Sequence, residues 1–497
     1  MRKEIRGKMF IDGKWVESVT NERTDVINPA NNKVIGSISS GNEKDAEKAV
    51  AAAKASFYER GEWRRMDAVK RADMLFEISD AIDKRADEIA EIESMDNGKP
   101  FREALADVDD AVYCFQYYGG LTNKPHGGVY DVHDGFGKMQ AFTRHEPIGV
   151  CGLITPWNYP ILMGVQKIAP ALAAGNSIVY KPSSNTTLSS IILFEIFEEL
   201  GMPRGSVNLI TGSGSKTGNV LAESFDVDMV TFTGSTEIGR GIAIKAAQNL
   251  KKVGLELGGK SPNVIFGDCD LESAVEWAMT GIFYNQGEVC SAGSRILVEE
   301  SFKDEFMERF IARAEKMTLG DPMKDPDMGA IVSESQMNTV LEYIEIGKKE
   351  GARCLTGGAR YTEGECKEGF FIRPTIFDQC TSDMEIVKKE IFGPVVTVQT
   401  FKSEEEAIAM ANDTIYGLAG AVFTSDINRA FRVIGEIRAG ITWINCYNPA
   451  FIEAPWGGYK MSGQGRELGV HGLEEYQEIK QININMNENP TGWYPQR

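Results

Sequence analysis

The sequence predicts an α/β protein that consists of a parallel-sheet domain, a second α/β domain and a small arm. Between residues 149 and 257, short apolar runs alternate with segments of helical length, and a second alternation occupies residues 259–455. Val/Ile/Leu-rich runs joined by crossover helices are typical of parallel sheets that are covered on both faces. The more polar residues 129–147 and those after 474 fit neither sheet and suit either a protruding oligomerisation arm or a surface hairpin.

Size, charge and cysteine usage narrow the class of protein. At about 150 residues per domain, 497 residues predict two or three domains. A formal net charge of −19 disfavours nucleic acids and anionic membrane surfaces as partners. Because no run approaches about 18 apolar residues and the N-terminus lacks the apolar core of a signal peptide, we expect a cytoplasmic protein without a membrane partner. The eight cysteines are scattered as expected of reduced thiols, and no metal site is predicted.

The first 122 residues predict a hairpin followed by helices. Asp12 and Gly13 stand between two short apolar runs, which is the local pattern of a β-hairpin. Residues 43–122 are predicted to be helical, because apolar residues recur there at the spacing of one buried helix face. The first residues of this face are Ala46, Ala49, Val50, Ala53 and Phe57.

Five predicted strands follow these helices. They are GVCGLI at 149–154, SIVYK at 177–181, VNLIT at 207–211, MVTFT at 229–233 and VGLEL at 253–257. Ligands of parallel α/β sheets bind at the carboxyl ends of the strands, so we expect the functional residues there. The second domain continues the pattern with a strand at 263–267, a helix at 270–285 and a strand at 294–300.

Three glycine-rich segments suggest phosphate binding. TGSGSKTG at 211–218 and TGSTEIG at 233–239 lie between a strand and a helix, where backbone N–H groups attract phosphate, although ordinary βα turns have the same composition. The segment 254–261 matches the P-loop pattern G-x-x-x-x-G-K-[ST]. Because Pro262 and a strand-like NVIF follow it where a P-loop requires a helix, a nucleotide hydrolase is disfavoured.

Three polar side chains are candidates for catalysis. Glu256 lies in an apolar run where burial would raise its pKa toward general-base use, although a strand-edge glutamate facing water has the same pattern. Cys290 has small neighbours that let a substrate reach its sulfur, although most free cysteines are buried apolar residues. Asn158 follows the first parallel strand, where its amide suits either a developing negative charge or a turn.

Taken together, these motifs resemble the NAD(P)-dependent aldehyde dehydrogenase superfamily, most closely its betaine-aldehyde and retinal-type branches. The chain contains, in the family's order, TPWNYP, KPS, FTGSTEIG, LELGGKSP, GEVCSAGSR, EIFGPV and APWGGYKMSG. The resemblance implies a Rossmann-like cofactor domain of residues 1–128 and 148–258, a catalytic domain of residues 259–455, and an oligomerisation arm of residues 129–147 and 475–497.

The resemblance also implies a mechanism. Cys290 would attack the aldehyde carbonyl to form a thiohemiacetal, and the Asn158 side-chain amide and the Cys290 backbone N–H would hold the oxyanion. After hydride loss to the cofactor, Glu256 would activate the water that hydrolyses the thioester. CoA-acylating relatives usually lack this glutamate, so we expect a non-acylating oxidation of an aldehyde to a carboxylic acid.

The implied cofactor is NAD. Ser184 stands where many NAD-preferring members have an acidic residue that repels a 2′-phosphate, so NADP stays open. Lys260 and Glu467 match positions credited with structural or proton-relay duty. The implied cofactor contacts are Ile154, Thr155, Trp157, Lys181, Ser184, Gly234, Ser235, Glu390 and Phe392.

The implied substrate is a small-molecule aldehyde. Tyr159, Tyr284 and Trp456 would line an aromatic entrance that suits either a quaternary ammonium or a hydrophobic aldehyde. Gln166 stands where those branches commonly have tryptophan, so we expect a broad range of aliphatic and aromatic aldehydes, retinal included, with betaine aldehyde as the alternative. Glu453 would favour cationic aldehydes or is a solvated loop charge. A nonenzymatic dinucleotide-binding protein is a further alternative, and we expect a homotetramer or homodimer.

Overall fold

Two large β-sheets and two three-stranded sheets organise the chain in a computed structural model that describes residues 5–124, 127–133, 135, 137–490 and 492–494. The strands are β1 Ile5–Gly7, β2 Met9–Ile11, β3 Lys14–Val16, β4 Arg23–Asn28, β5 Lys33–Ser39, β6 Val129–Tyr130, β7 Met139–Pro147, β8 Val150–Ile154, β9 Ser177–Lys181, β10 Val207–Leu209, β11 Met229–Thr233, β12 Lys252–Glu256, β13 Pro262–Ile265, β14 Arg295–Glu299, β15 Arg353–Thr356, β16 Thr375–Asp378, β17 Val395–Phe401, β18 Ala419–Phe423, β19 Ile441–Ile444, β20 Gly463–Gln464 and β21 Gln477–Asn485. The α-helices are α1 Glu43–Lys54, α2 Ala68–Lys84, α3 Ala86–Asn97, α4 Phe101–Leu121, α5 Pro160–Ala174, α6 Leu188–Glu199, α7 Asn219–Glu223, α8 Thr236–Ala246, α9 Leu271–Phe283, α10 Lys303–Ala314, α11 Glu334–Lys349, α12 Glu385–Lys388, α13 Glu404–Asn412, α14 Ile427–Glu436 and α15 Gly469–Glu475.

The first large sheet has the strand order β20-β12-β11-β8-β9-β10-β2-β3. Its five central strands run parallel and confirm the strands predicted from the apolar runs, although β10 ends two residues early. The chain proceeds from β8 to β9 and β10, and then returns to the other side of β8 with β11 and β12. Such a reversal opens a crevice at the carboxyl ends of the two strands beside it, which here are β8 and β11.

Burial on both faces explains the continuous apolar strands. Every residue of β8, β9 and β11 is buried, so these strands need helices above and below the sheet. The crossover helix α5 begins at Pro160, whose fixed φ suits the first helical turn. It ends at Gly175, whose φ of 97° is a common helix stop.

The N-terminal predictions hold with one difference. The predicted hairpin is confirmed as β2 and β3, with Asp12 and Gly13 both at positive φ, as a tight hairpin turn requires. The region 43–122 is helical but breaks into α1 to α4 rather than forming one continuous helical stretch. One break falls at Gly98, where φ is 100° and an added Cβ would lie 2.5 Å from the Ala330 carbonyl oxygen.

The second large sheet has the order β15-β16-β17-β14-β13-β18-β19 and is parallel except for β15. Strand β13, helix α9 and strand β14 confirm the predicted alternation. Strand β13 begins at Pro262, directly after Lys260 and Ser261. A P-loop would continue into a helix at this point, so the segment 254–261 is not one.

Residues of the predicted arm form a separate antiparallel sheet of order β21-β7-β6. The sheet β1-β5-β4 and the short edge strand β20 are features that the sequence patterns did not predict. Parts of the predicted domains, at residues 1–4, 125–126, 134, 136, 491 and 495–497, lie outside the described residues. Among the helices of the described ranges, none combines the length and apolar character needed to cross a lipid bilayer.

Candidate active site

The carboxyl ends of β8, β9, β11 and β12 carry many of the predicted site residues. Ile154 ends β8 and Thr155 follows it, Lys181 ends β9, Gly234 follows β11, and Glu256 ends β12. Parallel strands bring these ends to one edge of the sheet, although the residues are far apart in the chain. The structure thus places these predicted site residues at one edge of the sheet, and their roles stay predictions.

A cavity of about 290 Å³ lies beside this edge. Glu256 at the end of β12 lines it together with Cys290, which comes from the segment between α9 and β14. Most of the lining is apolar or aromatic, and a few carboxyl groups interrupt it. A mostly apolar pocket with a few convergent polar groups is the usual form of a small-molecule site.

Cys290 is partly exposed in this cavity. Desolvation, followed by repulsion from the carboxylates of Glu390 and Glu256, raises the pKa of its thiol to about 12. Backbone N–H groups of Ser291 and of Cys290 itself interact with the sulfur and partly oppose this rise. In the cofactor-free protein the sulfur is therefore mostly a neutral thiol at neutral pH.

Glu256 is buried, and its Oε2 has no hydrogen-bond partner among the described residues. Desolvation and repulsion from Glu467 raise the pKa of Glu256 well above its ordinary value, while Lys167 and Arg466 oppose the rise. Lys167 forms an ion pair with Glu467 and donates to Thr231 Oγ1 at 3.2 Å. A carboxyl group with a raised pKa and an unpaired oxygen suits a general base near neutral pH.

Asn158 is buried against the segment that leads to Cys290. Its Nδ2 donates to the Glu288 carbonyl oxygen at 2.8 Å, and its own backbone oxygen accepts from Asn285 Nδ2 at 2.9 Å. A primary amide has two N–H donors, so the bond to Glu288 leaves one N–H of Asn158 for a ligand. The side chain is thus fixed in place without exhausting its donors.

The crevice between β8 and β11 offers groups that suit a dinucleotide. Ser235 caps the N-terminus of α8, where its hydroxyl accepts a backbone N–H of the first turn at 3.4 Å and the helix dipole favours phosphate. The rings of Trp157 and Phe392 form an edge-to-face pair with centroids 5.1 Å apart. A Cβ at Gly234 would lie 2.5 Å from the Phe232 ring, so a side chain would crowd this turn.

Three further predicted cofactor residues come from two parts of the chain. Lys181 ends β9, Ser184 lies in the loop that follows, and Glu390 follows α12. Lys181 is buried, desolvation lowers its pKa to about 8, and its ammonium donates to the carbonyl of the next residue at 2.9 Å. Desolvation raises the pKa of Glu390 to about 7, and its Oε1 accepts the Gly259 N–H at 3.2 Å. Both keep capacity to bond ribose hydroxyls. Ser184 Oγ donates to the Gly212 carbonyl at 3.0 Å and adds no charge.

The three predicted substrate residues, Tyr159, Tyr284 and Trp456, all line the cavity, and Gln166 lines it as well. Glu453 does not line it, because its carboxylate is exposed and accepts a hydrogen bond from Tyr113. Both interpretations of Glu453, as a charge that favours cationic aldehydes and as a solvated loop charge, stay predictions.

Sequence reasoning missed Asp107, Asp110 and Trp277, which also line the cavity. Asp107 pairs with the buried ammonium of Lys99. Desolvation, with neighbouring carboxylates, raises the pKa of Asp110 to about 6, so it is largely ionised at neutral pH. The spacing i, i+3 of the two aspartates places them on one face of α4, and this periodicity was the signal available in the sequence.

The fold and the site define a class of α/β dehydrogenase in which a dinucleotide crevice adjoins a cavity with a cysteine and a glutamate. The aldehyde dehydrogenase family model matches residues 15–482, and the chain belongs to that family. The betaine aldehyde dehydrogenase of Bacillus subtilis is 47% identical over 487 residues, which is 98% of this chain and 99% of the relative. Aldehyde dehydrogenase 1A1 of Gallus gallus is 45% identical and covers 96% of this chain and 93% of its own. The predicted resemblance is confirmed.

Solved structures agree with this assignment. A betaine aldehyde dehydrogenase of Staphylococcus aureus in complex with NAD+ superposes with a TM-score of 0.96 at 45% identity, covering 99% of this chain and 97% of that chain. A point mutant of the same enzyme, in complex with NAD+ and with a BME-modified cysteine, has the same TM-score and identity and covers 99% and 100% of the two chains. The α/β fold class predicted from the sequence is confirmed.

Proposed function

We propose that the protein oxidises an aldehyde to a carboxylic acid with NAD+ as the cofactor and without CoA. The observation that carries the proposal is the cavity shared by Cys290 and Glu256, which places a nucleophile and a general base around one space. The NAD+ complexes of the Staphylococcus aureus relatives support the choice of cofactor. The start of α8 at Ser235 suits a phosphate, and Lys181 and Glu390 offer groups able to bond ribose hydroxyls.

Cys290 supplies the nucleophile in this reaction. The thiol first loses its proton to solvent in the cavity, since the sulfur is partly exposed. The thiolate then adds to the carbonyl carbon, so that a C–S bond forms and the carbonyl π pair moves to oxygen. The remaining N–H of Asn158 and the backbone N–H of Cys290 stabilise this oxyanion. Bound NAD+ supplies the hydride acceptor, and loss of hydride leaves a thioester on Cys290.

Glu256 completes the turnover. Its raised pKa makes the carboxylate a stronger base, which takes a proton from water, and the hydroxide adds to the thioester carbonyl. The C–S bond then breaks, which releases the carboxylic acid and restores the sulfur. Because this base stands in the cavity, water rather than CoA is the proposed acyl acceptor.

Steady-state formation of NADH from NAD+ and a panel of aldehydes tests the function. The panel includes aliphatic and aromatic aldehydes, retinal and betaine aldehyde, and NADH and acid are expected in equal amounts without CoA. Cys290→Ala should lose turnover with an unchanged melting temperature, whereas Cys269→Ala, at a cysteine outside the cavity lining, should keep it. Full activity of Cys290→Ala contradicts the proposal. Dinucleotide binding without turnover of any aldehyde would support the nonenzymatic alternative.

Betaine aldehyde is the second candidate substrate, and Asp110 favours it. Tyr159, Tyr284 and Trp456 surround the cavity with rings that attract a quaternary ammonium, and Asp110 adds a carboxylate to the same cavity. We expect Asp110→Asn to raise KM for betaine aldehyde about fivefold, since an attraction of about 1 kcal/mol is lost, and to leave KM for an uncharged aldehyde unchanged. Equal effects on both substrates would contradict this choice.

We assign one proposed domain to each of the two large sheets. Residues 1–128 and 148–258 are assigned to the cofactor domain, because they contain the β8 and β11 crevice. Residues 259–455 are assigned to the catalytic domain, because the segment between α9 and β14 carries Cys290.

The arm, residues 129–147 and 475–497, is the proposed contact in a homodimer or homotetramer. Its described outer strands expose Val129, Tyr130 and Ile479, and exposed apolar sheet edges favour pairing with another chain. Light scattering of wild type and of Ile479→Lys measures the assembly directly, and an unchanged mass would place the contact elsewhere. The eight free cysteines support a reducing, cytoplasmic location.

A further inference from the structure

Asn285 lies at the centre of a buried hydrogen-bond network that joins Asn158 to the segment carrying Cys290. Its Nδ2 donates to the backbone oxygen of Asn158 at 2.9 Å and to that of Glu288 at 3.3 Å. The same Glu288 oxygen accepts the side-chain N–H of Asn158 at 2.8 Å. One buried amide therefore ties the backbone of residue 158 to the backbone two positions before Cys290.

The backbone at Asn285 adopts a conformation that side chains disfavour. Its φ and ψ are 47° and 41°, those of Gln286 are 57° and 20°, and Gly287 follows at a φ of 74°. The left-handed region costs a residue with a side chain about 1–2 kcal/mol, although asparagine tolerates it better than most. Backbone strain of this kind persists only where surrounding contacts hold it, and it clusters at functional sites.

Two buried carboxyl groups hold this turn. Glu103 of α4 accepts the backbone N–H of Asn285 with its Oε2 at 2.9 Å, and desolvation raises the pKa of Glu103 to about 8. Glu103 is therefore mostly a neutral acceptor at neutral pH, which avoids an uncompensated charge in the interior. At the other end of the turn, Glu288 accepts the Val332 N–H at 3.2 Å.

Gly287, the last residue of the turn, packs closely against the backbone of Gly393. A Cβ there would lie 2.4 Å from the Gly393 carbonyl carbon, so a side chain at this position would collide with backbone. The turn from Asn285 to Gly287 is thus held by side-chain contacts on one flank and by a backbone contact on the other.

We propose that Asn285 is a positioning residue for the oxyanion hole, whose amide fixes Asn158 relative to the Cys290 sulfur while Glu103 keeps Asn285 in the left-handed conformation. The inference rests on the aldehyde oxidation proposed above. Neither Asn285 nor Asn158 is among the residues that line the described cavity, whereas Cys290 is. Asn285 acts through its hydrogen bonds to the backbone of Asn158 and to the segment before Cys290.

The substitution Asn285→Gly removes the amide and keeps the backbone freedom that this φ requires. Deleting an oxyanion donor outright costs about 10²–10³-fold in kcat, so misplacing one should lower kcat about tenfold to hundredfold, with an unchanged dissociation constant for NAD+. The matched control is Asn176→Gly, because the buried Asn176 amide also donates to two backbone oxygens. Asn176 lies just before β9, at the edge of the sheet opposite the site, and its substitution should leave kcat unchanged.

The double variant Asn158→Ala/Asn285→Gly tells whether Asn285 acts by positioning Asn158 or whether its substitution lowers kcat independently of Asn158. If Asn285 acts through Asn158, the double variant is no slower than Asn158→Ala alone. Losses that multiply in the double variant would overturn the proposal, and so would an Asn285→Gly variant that is no slower than Asn176→Gly.

If Asn285→Gly fails to fold, variants of Glu103 test whether the network around Asn285 positions Asn158. Glu103→Gln keeps an oxygen acceptor and should retain kcat, whereas Glu103→Leu should lose kcat about tenfold. Equal kcat values in two folded Glu103 variants would overturn the role of the network. A wild-type protein that oxidises no aldehyde would instead overturn the proposed function itself.

Discussion

The Lys167 ammonium and the Glu467 carboxylate, 300 residues apart in the chain, form a buried ion pair next to Glu256. The carboxylate of Glu467 raises the pKa of Glu256, and the ammonium of Lys167 lowers it. Because both partners are largely removed from water, their charges act on Glu256 with little screening. Desolvation is the largest cause of the raised pKa of Glu256, the proposed base, and the ion pair adjusts that pKa further.

Glu467→Gln is expected to shift the pH profile of kcat to lower pH. The substitution removes a repulsion that raises the pKa of Glu256, so the carboxylate form appears at lower pH. The unpaired Lys167 should also lower the free energy of unfolding by about 3–5 kcal/mol. Profiles of kcat against pH and denaturant unfolding curves measure the two effects, and a shift toward higher pH would contradict the first.

Alkylation of Cys290 by iodoacetamide is expected to accelerate about tenfold per pH unit across the neutral and moderately alkaline range. The thiolate is the reactive form. For a thiol with a pKa of about 12, the thiolate fraction rises tenfold with each pH unit below that value. Mass spectrometry of the modified peptide gives the rate in the cofactor-free protein, with Cys290→Ala as the blank. Glu390→Gln should be faster than wild type, because it removes a repelling carboxylate. A plateau at about pH 8.5, as for an ordinary thiol, would show that the site does not raise the pKa.

Glu256→Gln is expected to form NADH in a single burst and then to stall. Addition to the aldehyde and loss of hydride need Cys290, whereas hydrolysis of the thioester needs the base, so steady-state turnover should fall about 10²–10⁴-fold. Rapid-mixing absorbance measures the burst, and intact mass measures the acylated protein. Glu453→Gln, at an exposed carboxylate outside the cavity lining, is the matched control and should keep full turnover. Loss of the burst itself would assign Glu256 to an earlier step.

Ser184→Glu is expected to lower kcat/KM for NADP+ relative to NAD+ by about tenfold or more. A carboxylate at this position would bond ribose hydroxyls and repel a 2′-phosphate, whereas the present hydroxyl bonds only the Gly212 carbonyl at 3.0 Å among the described residues. Ser184→Gln has nearly the same size without the charge, and it should leave the ratio closer to that of wild type. An unchanged ratio in Ser184→Glu would place the 2′ position away from Ser184.

The sheet architecture was predictable because its cause is local. Strands such as β8 and β11 are buried on both faces, and this burial leaves continuous apolar runs in the sequence. The hairpin at Asp12 and Gly13 follows from turn chemistry in the same way. The breaks within residues 43–122 depend instead on close approaches such as that of Gly98 to Ala330, which no local pattern records.

The site was predictable only in part. The residue patterns left Cys290 and Glu256 ambiguous, since a buried thiol and a strand-edge carboxylate are common, and the order of the motifs was needed to single them out. Trp277 and Asp110 reach the cavity from α9 and α4, which meet there only through tertiary packing. Asn285 precedes Cys290 by five positions, but its importance depends on contacts with residues about 127 and 182 positions away.

The contact between Gly287 and the Gly393 backbone limits which substitutions the turn before Cys290 accepts. Since a methyl group at Gly287 would collide with that backbone, laboratory evolution that randomises this turn is expected to recover mostly inactive clones. Leu162 on α5 and Trp277 on α9 stand on regular helices, where a change of volume leaves the backbone in place. Substitutions meant to change the substrate range are best made at such helix positions, while the turn before Cys290 is left unchanged.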